Sequence, residues 1–494
     1  MESSDKVTNS NKYRLLSDAS PDELTQLARQ VNASPWRQHY HIQPNTGLLN
    51  DPNGFAHYNG QYHLFYQWHP FGPVHGMKYW YHVTSTDLVH WEDAGVGIEP
   101  GDPYDSHGAY SGSALAEDGV LYLFYTGNTR DEDWSRHPYQ CLAVLDQQGH
   151  ISKQNTPIIE SPPLGYTDHF RDPKVWKAAD SYYAVLGAQR LNQTGCVLVY
   201  RSDDLQNWSL TGELETSLTD FGYMWECPDY FELGEKGVLL FCPQGLPAEK
   251  DRFENIHQAG FLLGEQINPE KPHFHHGSFT ELDRGFDFYA AQTTLTPDGR
   301  RILIGWMGLP DTSYPTDTHG WAHCLTLPRE LTIENGKLMQ RPVKEMELLR
   351  KESYTAVHTV QDSEILIDEM YGSSYELHCA IHMEGAAKAG ITFRTGDTEE
   401  TLLYYDTLSK YLILDRTRSG QTMENDTGSI RRYALDAKMI DLHLFVDQSS
   451  VEVFINDGEA VMTARIFPAK DSNGVAFFTE GGKATFDAVH WLYT

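Results

Sequence analysis

Between about Tyr40 and Leu331 the apolar positions fall in short runs broken by Gly, Pro, Asp and Asn. Gly119–Tyr125, Ser181–Leu186 and Arg300–Trp306 are such runs, each rich in aromatic or branched residues and each followed by turn formers. This pattern predicts strands. Farther on, Tyr375–His382, Leu442–Asp447 and Ser450–Ile455 alternate apolar and polar positions, as longer half-buried strands do. Asn456-Asp457-Gly458 supplies a hairpin turn between two of them. One helix is predicted near the start. Ser20 is placed to cap it, Pro21 takes its first position, and Glu23 could complete a capping box. Leu24, Leu27, Ala28 and Val31 share one face, and Pro35 marks the stop.

Repetition organises the strand-rich part. Ser85–Trp91 and Ser202–Trp208 share the pattern S-x-D-L-x-x-W, and Asp51-Pro52 ahead of one strand has a counterpart in Asp172-Pro173. Polar residues heading a strand block occur at Asn50/Asp51, Ser111, Asp172, Glu226 and Asp287, spaced by 60, 61, 54 and 61 residues counted from Asp51. Five similar multi-strand units predict a five-bladed β-propeller, whose inner strands would point one residue each at a common funnel. The fold expected is all-β: a short N-terminal helix and tail (1–38), the propeller (39–340), a short helical linker (341–351) and a C-terminal β-sandwich (352–494).

Bulk properties exclude more than they assign. Against 38 Lys and Arg stand 69 Asp and Glu, a net charge of −31 that repels nucleic acid and anionic membranes. No apolar run approaches the ~20 residues of a membrane helix, and the polar opening Met1–Ser20 has no signal-like core. The six cysteines carry no C-x-x-C pair, so free thiols in a cytoplasmic, reducing setting are expected. Neither a metal site nor a cofactor is expected. Oligomeric state is not encoded legibly.

Three carboxylates stand beside prolines: Asn50-Asp51-Pro52, Arg171-Asp172-Pro173 and Glu226-Cys227-Pro228. They lack the His or Cys of a zinc set, and no Gly-x-Ser-x-Gly elbow supports a serine triad. Paired carboxylates with opposed roles point to glycoside hydrolysis. Cys227 reads as packing, while Trp225 and Trp306 are equally open to core and site.

With these motifs in order, the chain resembles the β-fructofuranosidase group of glycoside hydrolase family 32. Further matches are Tyr110-Ser111-Gly112-Ser113, Asp287-Phe288-Tyr289-Ala290, Gly305-Trp306-Met307 and Ser449–Phe454. The resemblance implies a five-bladed propeller joined to a β-sandwich. It also implies retaining cleavage of terminal β-D-fructofuranosides, with sucrose or sucrose 6-phosphate the leading substrates. By motif, Asp51 is the nucleophile, Glu226 the general acid/base and Asp172 the stabiliser of the fructosyl transition state. Asn50, Gln67, Tyr110, Ser111 and Arg171 would shape the sugar pocket, with Asp287, Tyr289 and Trp321 nearby. Leu48, His75 and Tyr81 stand where many relatives carry Trp, Trp and Gly, changes that fall on the rim and bear on the leaving group. His75, Lys78 and Arg136 are the basic candidates for a phosphate. Like-charge repulsion is expected to raise the Glu226 pKa, and Arg171 to keep Asp172 ionised. Fructan hydrolysis, fructosyl transfer and a non-catalytic sugar-binding propeller are the alternatives.

Overall fold

The structure, a computed structural model, describes residues 12–423 and 427–493. Most of the expected polar tail therefore lies outside the described residues. The helix forms over Pro21–Asn32, and the Ser20 hydroxyl accepts the Glu23 N–H at 3.2 Å. Glu23 does not close a capping box. Its carboxylate pairs with Arg14 instead, at 2.7 Å. Val31 alone on the helix is fully buried, packing among Trp36, Tyr314, Trp321 and Phe467.

Residues 47–342 form five mainly antiparallel sheets of four or five strands. Each is led by one strand: Gly47–Tyr58, Ala109–Glu117, Tyr166–Ala178, Met224–Leu233 and Tyr289–Leu295. These leading strands lie beside one another in chain order, and the fifth lies beside the first. Trp321–Ala322 adds a late parallel strand to the first sheet, pairing Trp321 with Gly47 and Ala322 with Leu48. The S-x-D-L-x-x-W repeats fold alike. Asp87 accepts the N–H groups of Val89 and His90, as Asp204 accepts those of Gln206 and Asn207. Leu88 and Leu205 take φ of 69° and 64°, and each following Trp donates its indole N–H to that Leu carbonyl. A shared turn chemistry thus underlies the repeat read from sequence.

The linker contains a 3-10 helix, Lys344–Leu349. Beyond it two six-stranded sheets enclose a core of Leu377, Ile381, Ile391, Leu403 and Phe393, with Phe477 stacked on Phe486 at 4.7 Å. This is the C-terminal β-sandwich. Its Asn456-Asp457-Gly458 hairpin takes positive φ at all three positions, with a Cβ on Gly458 meeting the Gln340 carbonyl at 1.9 Å. The hairpin tip therefore docks tightly on the first domain, and only glycine permits it.

The junction between the two parts is buried and charged. His41 bridges Asp447 (2.7 Å) and Glu452 (3.1 Å), while Arg329 binds Glu452 at 2.6 Å and Asp283 at 3.1 Å. Backbone bonds from Arg284 to Val461 and from Phe286 to Thr463 splice the loop before the fifth leading strand onto the sandwich. Burial opposes charge on His41, but the two carboxylates prevail and raise its pKa to about 9. A raised folded pKa contributes stability that is whole below the ordinary value of 6.5 and lost as pH rises through about 9. Tm is expected to decline over that window. His41→Ala should cost about 3–5 kcal/mol by removing the counter-charge of buried Asp447, Glu452 keeping Arg329, and should flatten the decline. Denaturant and thermal unfolding of both proteins across pH 6–10 check this, and an unchanged slope would contradict it.

Candidate active site

A single structural device recurs where the chemistry lies. In each of the five leading strands the pairing with its neighbour slips by one extra residue. The slips fall between Leu49 and Pro52, Tyr110 and Gly112, Arg171 and Lys174, Glu226 and Asp229, and Tyr289 and Gln292. These are β-bulges, which bend a strand and re-aim its side chains. The displaced residues include Asp51, Ser111, Asp172 and Cys227. Asp172, Cys227 and Ala290 have φ of 64°, 48° and 49°, a left-handed conformation that non-glycine residues adopt at a cost and that clusters at functional sites. Pro52, Pro173 and Pro228 follow at three of the bulges, where a residue with no N–H loses nothing from the ladder.

The bulges converge on a cavity of about 200 Å³ whose wall includes Asp51, Asp172, Glu226, Arg171 and Tyr289. Asn50, Gln67, His75, Tyr110 and Ser111 line the same cavity. Asp51 is held by a relay. The Lys78 ammonium donates to Asn50 Oδ1 (2.7 Å), Asn50 Nδ2 donates to Gln67 Oε1 (2.5 Å) and to Asp51 Oδ1 (3.1 Å). Gln67 Nε2 then donates to Ser111 Oγ (2.8 Å), whose hydroxyl donates to Asp51 Oδ2 (2.5 Å). Both carboxylate oxygens are thereby fixed. Burial raises the Asp51 pKa, with Ser111 pulling against it and Glu226 adding to it.

Arg171 is shared unequally. Its guanidinium donates twice to Glu226 Oε1, at 2.7 and 3.1 Å, but stands 3.9 Å from Asp172. The Tyr289 hydroxyl donates to Glu226 Oε2 at 2.7 Å. Burial would raise Glu226, but Arg171 and Tyr289 outweigh it and the net shift is downward. Asp172 receives the Cys227 N–H at 2.9 Å, yet burial, followed by the Glu226 and Asp51 charges, raises it to about 7 against Arg171. This reverses the expectation from sequence. Adjacency in the chain suggested that Arg171 serves Asp172, whereas the bulge turns the two neighbours apart and gives the arginine to Glu226.

Two expected pocket residues are elsewhere. Asp287 is 1% exposed and serves the domain junction: it accepts from Tyr314 (2.6 Å), Arg416 (2.7 Å) and the Arg465 backbone (2.7 Å). It sits two residues before the fifth leading strand, so the bulge there presents Ala290 rather than an acid. Trp321 is fully buried in the parallel pairing with Gly47, with Arg37 over its ring at 4.7 Å. The cavity instead gains Tyr13, Gln244 and Trp306. No local signal marks Tyr13, which arrives from ahead of the helix. Trp306 is both core and wall, while Trp225 is core alone, packed on Phe241 at 4.4 Å. Cys227 does more than pack: its sulfur lies 3.6 Å from Asp51 Oδ2. Burial and the neighbouring carboxylates push the thiol pKa well up, so it stays protonated and is no nucleophile.

The model of the glycosyl hydrolases family 32 N-terminal domain matches residues 41–342, and that of the family 32 C terminal matches 345–491. A sucrose-6-phosphate hydrolase of Staphylococcus xylosus is 48% identical over 476 residues, 96% of each chain. Among solved structures, the sucrose-6-phosphate hydrolase from Lactobacillus gasseri superposes with a TM-score of 0.92 at 40% identity, covering 98% of this chain and 99% of that one. A Bombyx mori beta-fructofuranosidase mutant in complex with sucrose gives 0.82 at 32% identity, covering 96% and 97%. The Glu226 charge helps to raise the proton affinity of Asp172, so the two carboxyls titrate as a pair. If the working form needs one proton on that pair, kcat/KM for hydrolysis should fall as pH rises past about 7. A profile flat from pH 6 to 9 would exclude it.

Proposed function

The chain belongs to glycosyl hydrolase family 32, and from that membership we propose that it cleaves terminal β-D-fructofuranosides, sucrose or sucrose 6-phosphate, with retention of configuration. The observation that carries the reading is one cavity walled by Asp51, Asp172 and Glu226, contributed by three different sheets. In the first step the Asp51 carboxylate attacks the anomeric carbon. Its relay of donors holds it in one orientation, as an in-line nucleophile requires. Glu226 gives its proton to the departing sugar oxygen, and a fructosyl-enzyme ester forms. Water then attacks that carbon, its proton passes to Glu226, and fructose leaves as Asp51 is freed.

The electrostatics suggest when the proton moves. In the unliganded site Asp172 has the higher proton affinity. Sugar hydroxyls donating to Asp172 would favour its ionised form and drive its proton onto Glu226, which needs it for the first step. Arg171 and Tyr289 then stabilise Glu226 as a carboxylate, the form that activates water in the second. Anionic Asp172 meanwhile faces the positive charge that develops on the fructosyl ring.

The five sheets are read as blades of a propeller spanning roughly 39–340, with the linker at 341–351 and the sandwich from 352. The adjacency of the leading strands and their equivalent bulges support this reading. The chain's negative charge disfavours nucleic acid and anionic membranes as partners. Six free cysteines fit a reducing, cytoplasmic setting.

Asp51→Ala should abolish formation of the intermediate, and Glu226→Gln should lower kcat by about 10²–10⁴-fold. Parent-like sucrose hydrolysis by both variants would defeat these roles. An early NMR spectrum should show β-fructose as the first product; α-fructose first would rule out double displacement.

A further inference from the structure

The relay around Asp51 has a direction, and one residue sets it. Lys78 is 4% exposed, and its ammonium donates to Asn50 Oδ1 at 2.7 Å. Its backbone carbonyl accepts the Ala109 N–H at 2.8 Å, which ties it to the second leading strand. An ammonium has three donors and no acceptor, so the Asn50 atom that faces it must be the oxygen. The Asn50 nitrogen then points the other way, toward Gln67 Oε1 and Asp51 Oδ1. With its oxygen committed to Asn50, Gln67 has only Nε2 to offer Ser111. Ser111 Oγ accepts there, and its own proton is left for Asp51 Oδ2. Every link runs in one sense because the first cannot be reversed.

Without a donor-only group at its head, the same chain has a second state. Turning over both amides, and the Ser111 proton with them, satisfies the links among Asn50, Gln67 and Ser111 in the opposite sense. The two states suit different forms of Asp51. In the observed sense both Asp51 oxygens meet donors, and an ionised carboxylate has only acceptors to offer. In the reversed sense Asn50 Oδ1 and Ser111 Oγ would present lone pairs, which repel a carboxylate and accept from a protonated acid. Burial already raises the proton affinity of Asp51, and the Glu226 charge adds to it. The direction of the chain therefore opposes what burial favours.

We propose that Lys78 is a positioning residue for the nucleophile: by holding Asn50 in one orientation it aims the donors of Asn50 and Ser111 at Asp51 and keeps that carboxylate ionised. This rests on the fructoside-hydrolase reading and deepens it, for Lys78 touches no reacting atom in that mechanism.

The surroundings leave this task to Lys78. The imidazoles around it, His69, His75 and His323, are each held neutral by burial, His69 being pushed down to about 4. Lys12, from the N-terminal segment, bears on His69 and His75. Around Asp51, Glu226 and Asp172 bring like charge, and burial keeps the Cys227 and Cys242 thiols protonated. Burial lowers the Lys78 pKa to about 7 despite Asp51. Below that pH, where the nucleophile gains its proton, Lys78 is an ammonium and has no lone pair to offer.

The test is the pH profile of kcat/KM on sucrose or sucrose 6-phosphate for folded protein, checked by near-ultraviolet circular dichroism. It compares the parent with Lys78→Met, Lys78→Arg, Ser111→Ala and the double variant Lys78→Met/Ser111→Ala. The acid limb reports ionisation of Asp51 in the free enzyme. In Lys78→Met it should move up by about 1–3 pH units, while the alkaline limb, set by Asp172 and Glu226, moves less. Lys78→Arg keeps a donor-only cation and should return the acid limb toward that of the parent. Ser111→Ala should shift the limb upward too, and the double variant by less than the sum, since both changes break one chain. If Lys78→Met does not fold, Lys78→Gln takes its place, because an amide offers an oxygen as well as a nitrogen and frees the chain to reverse. A lower plateau with unmoved limbs would make Lys78 purely structural and overturn the proposal. Additive shifts overturn it as well, since they are the mark of a charge acting through space alone. A parent that cleaves neither fructoside overturns the hydrolase reading, and this one with it.

Discussion

Three carboxylates share one small, largely buried cavity, and their mutual repulsion is the constraint that the surrounding structure answers. Asp51 is answered with oriented dipoles, a chain of amide and hydroxyl donors that ends in the buried ammonium of Lys78. Glu226 is answered with a full charge, the Arg171 guanidinium, and a phenol. Asp172 receives least and keeps the highest proton affinity of the pair it forms with Glu226. Unequal compensation, rather than burial alone, gives three acids three different characters. Such separation of proton affinities is what acid/base chemistry near neutral pH requires.

The backbone carries the cost of this arrangement. Side chains on a regular strand alternate between faces, so neighbours such as Arg171 and Asp172 could not both be aimed at will. One extra residue per leading strand breaks the alternation at the level of the cavity. The positive φ values of Asp172 and Cys227 show that the turn is forced by its surroundings and not chosen by residue preference. What holds it is tertiary: Cys227 N–H binds Asp172, Asp172 N–H binds Thr126 and the Gly112 N–H binds Asn53, each link running between different sheets. The site and the packing of the sheets are therefore one structure.

The domain junction uses the same chemistry for a different end. Asp287 stands near the head of the fifth unit, where an acid might have joined the other three. It is instead consumed by Arg416, the Arg465 backbone and Tyr314. A fourth carboxylate in the cavity would have added to the repulsion among the other three. Placed at the junction, it fastens the sandwich to the loop that leads into the last leading strand.

Much was legible from local pattern. Turn residues marked the strands, a shared S-x-D-L-x-x-W turn and a near-constant spacing marked the repeated units, and carboxylates beside prolines marked the catalytic candidates. These are properties of a few consecutive residues, so the sequence carries them directly. The electrostatic assignments were not legible, because they depend on which side of a bulge a side chain leaves. Adjacency paired Arg171 with Asp172; the fold paired it with Glu226. Spacing put Asp287 in the funnel; backbone splicing to the sandwich withdrew it. Tyr13 and Arg136 reach the cavity from segments with no common motif. The sequence by itself determined which chemical groups were available and roughly where each unit begins. Only the tertiary structure decided which charges face one another, since that is set by distances between sheets that no local pattern records.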